Sequence, residues 1–357
     1  GEEIVGSESP NNAYKTRRIR ETDVKLAFVM METIFPQRGG VHEQVYLLKR
    51  ELEKRGIQAD IVAYSVRRAE EKGGRMLWLR SVSPSFIKRI RGGGYDALIA
   101  ETAWISLPSV VASKISSTPC ILHLHSVESK QDTGLTRVGK TLVTVLENLG
   151  KGLCDKVLVP SENDRRLINS GKAVVFPNVI DVDAFANYTP VNLKRPAVVF
   201  VGGMGYPPNR EAAEFLIRVS KLIGDRVNFY LVGPSPPPVS PPVYATGYVE
   251  STAPYIMSAD VCVAPVKRGG GVKLKVLEYM MSGKPIIATK KAVEGIDEIV
   301  YVNAETEEEF AERILDVIEG RIRLDFGKNR EIVMKRHSPK AAVDRLLSLI
   351  EEVEKGR

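Results

Sequence analysis

"RGGGVKLKVLEYMMSGKPIIAT" (268–289) joins three consecutive glycines to a helix-forming run that opens with two lysines on alternate positions. A helix N-terminus already carries partial positive charge, so lysines there cost local stability unless an anion offsets them. The run before it, "VCVAP" (261–265), is strand-like, and the run after it, "GKPIIAT", is strand-like again. Strand, glycine loop and helix N-terminus together make an anion site, because free backbone amides point outward and the glycines admit close approach. Helical spacing puts Lys275 and Glu278 on one face, with Leu274, Leu277 and Met281 opposite. An internal Lys275–Glu278 ion pair on a core helix is the plainer reading of the same residues.

Outward from this stretch, short β-branched runs alternate with amphipathic ones. "KLAFVMM" (25–31) precedes a glycine pair and "VHEQVYLLKRELEKRG", where Val41, Val45, Leu48 and Leu52 recur at helical spacing. "ADIVAYS", "ALIAET", "CILHLHS", "KVLVPS" and "AVVFPN" follow, with helical candidates between most of them. The alternation pauses over the polar stretch 178–196 and resumes with "AVVFVGG", "NFYLVG", "VYATGY" and "VCVAP". Such order implies parallel pairing and α/β layering. We expect two Rossmann-like doubly wound domains facing across a cleft, over 25–190 and 191–336, with a terminal helix in 337–357. Residues 1–24 lack apolar periodicity and read as a disordered tail. Ligands of such sheets bind beyond the carboxyl ends of the strands.

The 357 residues are 43% hydrophobic and 27% charged, a globular composition. No apolar run is long enough to span a bilayer and no secretory signal is evident, so a cytoplasmic protein is expected. Cys120, Cys154 and Cys262 form no metal or disulfide pattern and read as reduced, buried thiols. The net charge is +7, and the segment Arg67–Arg91 alone holds eight basic and two acidic residues. In 65–93 these bases interleave with Met76, Leu77, Trp78, Leu79, Phe86, Ile87 and Ile90, a mixture suited to an anionic membrane surface. A solvated loop followed by a surface helix packed on the sheet is the competing reading. Too few aromatics accompany the bases for nucleic-acid recognition.

Several chemistries are disfavoured. "VFVGGMGYPPN" (199–209) has Pro208 where a dinucleotide-binding fingerprint has its third glycine, and "NFYLVGP" ends without an acidic residue for a ribose. Walker A loop and nucleophile elbow are absent, and the four histidines show no metal spacing.

Taken in order, "GG" (39–40), "VPSENDRRLI" (159–168), "FPNVIDVDAF" (176–185), "VFVGGMGYPPN" and the opening stretch resemble GT-B glycosyltransferases of the family 4 type. The resemblance implies a nucleotide-sugar donor in the C-terminal domain and a glycan or lipid-linked acceptor in the N-terminal one. It also implies transfer with retention, no metal or cofactor, and a last helix crossing back to the first domain. Glu278 matches the second glutamate of the family's Glu-x7-Glu motif, which binds the nucleotide ribose. The first glutamate falls at Gly270, so the motif is broken. Gly203 and Pro208 stand where relatives often place diphosphate-binding arginine and lysine. Lys275, helped by Lys273 or Arg268, is therefore expected to hold the diphosphate, with Gly271 and Val272 in the same loop. Gly39 and Gly40 are expected to close over the donor, and His125 matches a histidine that reaches the donor sugar. His123 and Glu101 are weaker acceptor-side candidates, and Gly247 and Tyr248 are candidates to flank the base. Two alternatives remain: a nucleotide-sugar epimerase of this fold, and a non-catalytic sensor of nucleotide-sugar.

Overall fold

The computed structural model describes residues 24–34, 40–65, 80–130 and 137–357. Gly39, nearly all of the expected tail, and residues 66–79 of the basic stretch lie outside the described residues.

The first sheet contains β1 (Lys25–Glu32), β2 (Gln58–Ser65), β3 (Ala97–Glu101), β4 (Cys120–His123), β5 (Lys156–Val159) and β6 (Ala173–Val175). Their spatial order is β2-β1-β3-β4-β5-β6, and every pair is parallel. A parallel sheet covered on both faces needs near-continuous apolar strands, and β3 is buried at all five positions. One face is covered by α1 (Gly40–Lys54) and the other by α2 (Pro84–Arg91), α3 (Ser106–Ser116) and α4 (Arg137–Leu153). Val45, Leu48 and Leu52 of α1 enter the first core, as their spacing predicts.

After α5 (Glu162–Ile168) and α6 (Asp183–Ala186), the second sheet repeats the plan. It consists of β7 (Ala197–Val201), β8 (Asn228–Val232), β9 (Val243–Gly247), β10 (Val261–Ala264), β11 (Ile286–Ala288) and β12 (Val302–Asn303). Their order is β12-β11-β10-β7-β8-β9, again all parallel. Its helices are α7 (Pro207–Ile223), α8 (Ala253–Ser258), α9 (Leu274–Ser282), α10 (Glu307–Ile318) and α11 (Gly327–Arg336). The polar stretch 178–196 is drawn into this second core through Ile180, Phe185 and Leu193.

The last helix, α12 (Pro339–Lys355), returns to the first domain: Val343, Leu346, Leu349 and Ile350 are buried with Leu48 and Leu52 of α1. Arg55 at the end of α1 clamps it by hydrogen bonds to Asp344 (2.6 Å) and the Lys340 carbonyl (3.1 Å). The fold is thus two doubly wound α/β domains with a terminal crossover. No helix among the described residues is long and apolar enough to cross a membrane.

Within the basic stretch, Phe86 and Ile90 pack into the sheet while Lys88, Arg89 and Arg91 are exposed. The apolar residues of 65–93 that are described are therefore core residues, as the surface-helix reading has it. Cys120 and Cys154, distant in sequence, bring their buried sulfurs to 3.7 Å.

Candidate active site

In the second sheet the winding direction reverses between β10 and β7, which makes the loops after these two strands the expected binding crevice. Both are glycine loops. Gly202 follows β7 with φ +156, and Gly269 and Gly271 follow β10 with φ +98 and +69. A Cβ on Gly202 would stand 2.7 Å from Lys275 Nζ, so only glycine leaves the ammonium its place.

Lys275 and Glu278 do not pair with each other. Lys275 Nζ donates to Asn209 Oδ1 (2.6 Å) and sits 4.3 Å from the centre of the Phe200 ring. Asn209 Nδ2 in turn donates to the Gly203 carbonyl at 3.0 Å. Glu278 accepts from Thr252 Oγ1 at 2.8 Å. Both charged side chains keep some surface open yet are densely surrounded by protein. Burial pushes the Lys275 ammonium down to about 7. Burial, reinforced by the carboxylate of Glu43, pushes Glu278 up to about 8. A cation and an acid are thus held side by side without neutralising one another, and an anion would stabilise the charged lysine.

Lys273 and Arg268, expected to help Lys275, are both engaged within the protein. Lys273 Nζ folds back onto the carbonyls of Gly269 (3.2 Å), Gly270 (3.1 Å) and Gly271 (2.6 Å). It braces the loop from beneath, and burial lowers its pKa to about 8. Arg268 donates from Nε to Glu211 (2.7 Å) and pairs with it again through Nη2, in an exposed ion pair. Neither offers an uncommitted cation beside Lys275, so the loss of the first motif glutamate leaves a loop organised by its own lysine.

Across the cleft, parallel register sets Glu101, the last residue of β3, opposite His123, the last of β4. Glu101 Oε2 lies 3.0 Å from His123 Nδ1 and 2.6 Å from His125 Nε2. The two imidazoles hold the buried carboxylate down at about 2 against the opposing pull of burial. Burial lowers the pKa of His125, which favours its neutral form. An ionised carboxylate can only accept, so neutral His125 carries its proton on Nε2. Its Nδ1 is then a bare lone pair, buried and without a partner. The next residue after Glu101, Thr102, is held at φ 75, a conformation that L side chains adopt only under constraint. The three donor atoms lie within 4.8 Å of one another, the kind of cluster that can hold a metal. Two ligands of one tetrahedral ion, each about 2.1 Å from it, stand about 3.4 Å apart. The 2.6 Å contact fits a charge-assisted hydrogen bond instead.

The two half-sites face each other. A Cβ on Gly271 would come within 3.8 Å of the His125 carbonyl oxygen, and one on Gly40 within 3.1 Å of Leu274. Val272 packs beside Gly295. Gly247 (φ +71) lies further along the same rim, where its carbonyl accepts from Gly233 at 3.1 Å, and Tyr248 beside it is 78% exposed. The glycine loop also walls a cavity of ≈ 320 Å³ with Ser161, Asp164 and Lys291, which none of Lys275, Glu278 and His125 lines. Sequence reading passed over Asn209, Thr252 and Glu43. Asn209 stands in the quoted "GYPPN" at the start of α7, where a polar side chain facing a switch-point loop was a usable signal.

Two sequence families match this chain, one over each domain. "Glycosyltransferase Family 4" covers residues 38–184 and "Glycosyl transferases group 1" covers 195–320. No curated protein matches by sequence. Solved structures share the fold at low identity. Anabaena Alr3699/HepE in complex with UDP has TM-score 0.69 and 15% identity over 92% of this chain and 100% of that one. Sucrose-phosphate synthase from Thermosynechococcus elongatus has 0.72 and 18% over 93% and 100%. A glycosyltransferase from Rickettsia africae has 0.71 and 15% over 94% and 100%. The chain is a glycosyltransferase of the GT-B type. Within that class it is of the family 4 kind.

Proposed function

We propose that this glycosyltransferase moves a hexose from a nucleotide-diphosphate sugar to a glycan or lipid-linked acceptor, with retention, at the cytosolic side and without metal or cofactor. The observation that carries the reading is the Lys275–Asn209–Gly203 contact at the switch point of the second sheet, with Glu278 one turn along the same helix. Among the described residues Lys275 has no carboxylate partner, so a diphosphate would replace the Asn209 carbonyl with charged oxygens. Backbone amides of the glycine loop and the N-terminus of α9 add positive potential there. Departure of the nucleoside diphosphate builds negative charge on its phosphates, and fixed dipoles and a fixed cation lower the barrier without reorganising. Glu278 accepts from ribose hydroxyls, and Tyr248 offers a ring to the base. The UDP in the Anabaena structure supports a nucleoside diphosphate as the leaving group.

On the opposing wall, His125 accepts a hydrogen bond from a hydroxyl of the transferred sugar through Nδ1. Glu101 is a positioning residue, since it fixes which nitrogen carries the proton. Glu101 is itself committed to two imidazoles, so it is not the free acid or base that epimerisation would need. The test is release of nucleoside diphosphate from a panel of nucleotide-sugars, with chelator present and candidate acceptors added. Acceptor-stimulated release from one donor supports transfer. Tight binding of a donor that is never turned over would establish the sensor reading.

A further inference from the structure

The three helices on the outer face of the first sheet share an unusual surface. α2, α3 and α4 pack side by side and bury Phe86, Ile90, Val110, Val143 and Leu146 in one core. Lys88, Arg89, Arg91, Lys114 and Arg137 are exposed on them, while Lys140 and Lys151 are half-buried, Lys151 donating to the Ile168 carbonyl at 3.3 Å. Their one carboxylate, Glu147, is buried and accepts from Ser129. Among the described residues, none of the seven bases pairs with a carboxylate. Along α4, Val138, Val145, Leu149 and Leu153 recur at helical spacing, and each is between 40% and 74% exposed. Ile115 at the end of α3 adds a further exposed aliphatic side chain. Aliphatic ridges of this size are normally buried on a soluble helix.

We propose that this α2–α3–α4 face docks the first domain on an anionic lipid bilayer, the bases meeting headgroups and the α4 ridge entering the acyl boundary. Charge decides among occupants. A second copy meeting the same face about a two-fold axis would set the bases against one another. A nucleic acid would leave the aliphatic ridge without a partner, since it offers no ring on which bases stack. An anionic bilayer satisfies both features at once. The docking itself does not depend on the donor site. Joined to the transferase reading, on which this further step rests, it makes the acceptor a lipid-linked one.

Full-length protein should co-sediment with vesicles of phosphatidylcholine containing a third phosphatidylglycerol, and not with phosphatidylcholine alone. Half-molar salt should release it. Val145→Asp with Leu149→Asp should weaken vesicle partition at least ten-fold, as should Lys88→Glu with Lys114→Glu and Lys140→Glu. These sites are exposed, apart from the half-buried Lys140, and none lies at the donor site, so thermal midpoint and nucleoside diphosphate affinity should stay as in wild type. Equal partition to both vesicle types would overturn the proposal. So would unchanged partition of the two variant sets, or a concentration-dependent dimer that Leu149→Asp dissolves while vesicles are ignored. Loss of donor binding with docking intact would count against the donor site alone.

Discussion

The tautomer of His125 is decided by one carboxylate oxygen. Glu101 accepts at 2.6 Å, so Nε2 must be protonated and Nδ1 is left with an unpartnered lone pair. Glu101→Gln should let an Nδ1-protonated population appear in the nitrogen-15 spectrum of His125. It should weaken nucleotide-sugar binding by roughly 1 kcal/mol, about five-fold, while nucleoside diphosphate binds as before. An unchanged tautomer with unchanged sugar discrimination would remove Glu101 from the positioning role. Acid stability gives an independent check. Glu101 titrates near 2 in the fold against 4.5 as the reference value. A depressed carboxylate contributes stability that is complete above 4.5 and is lost as pH falls toward 2. Wild type should therefore lose more stability than Glu101→Gln over that window, although the variant starts lower at pH 7. All three residues of this trio were candidates from the sequence, but their contact was not legible there. Glu101 and His123 are 22 residues apart, and only the β3–β4 register brings them together. Lys275 and Glu278 were legible because one helical turn relates them, and their separate partners were not, because Asn209 and Thr252 come from other helices' starts.

At the scale of elements, the glycine loops and the crossover helix carry the argument. Gly202 and Gly203 are adjacent but unequal: a Cβ on Gly202 meets Lys275 Nζ at 2.7 Å, whereas one on Gly203 meets only Pro234 at 3.7 Å. Gly202→Ala should displace the ammonium and cut nucleoside diphosphate affinity about ten-fold, and Gly203→Ala should be nearly silent. Calorimetric titration of both variants decides it, and equal effects would argue against Lys275 as the phosphate contact. Leu346 of α12 is buried in the first domain's core, so Leu346→Ala should destabilise that domain by about 2–5 kcal/mol in chemical denaturation. Strand–helix alternation told the sequence reader that both sheets are parallel. It could not tell that the polar stretch 178–196 contributes Ile180, Phe185 and Leu193 to the second core, because three scattered apolar residues make no period.

For the whole molecule, the two domains set a cation with an acid on one wall of the cleft and a neutral imidazole on the other, with glycines where the walls approach. In the proposed reaction, positive charge for the departing diphosphate comes from Lys275, the loop amides and the α9 N-terminus, so turnover should survive excess chelator. Strict dependence on Mn²⁺ or Mg²⁺ would require another plan. Lys275 also makes binding pH-dependent. Its pKa is about 7 in the free protein, so a diphosphate must draw a proton onto it at higher pH. Affinity should be greatest below about 7 and decline above it, and a Glu278→Gln background isolates the lysine by removing the ionisation of Glu278 near 8, which would repel the anion in the same direction. The most direct measurement is calorimetric titration of wild type and Lys275→Met with UDP and the other nucleoside diphosphates. Wild type should bind at least one of them, and Lys275→Met should lose roughly 1.5–3 kcal/mol of that affinity, ten-fold or more. Equal affinity of the two proteins for every nucleoside diphosphate would contradict the placement of the donor.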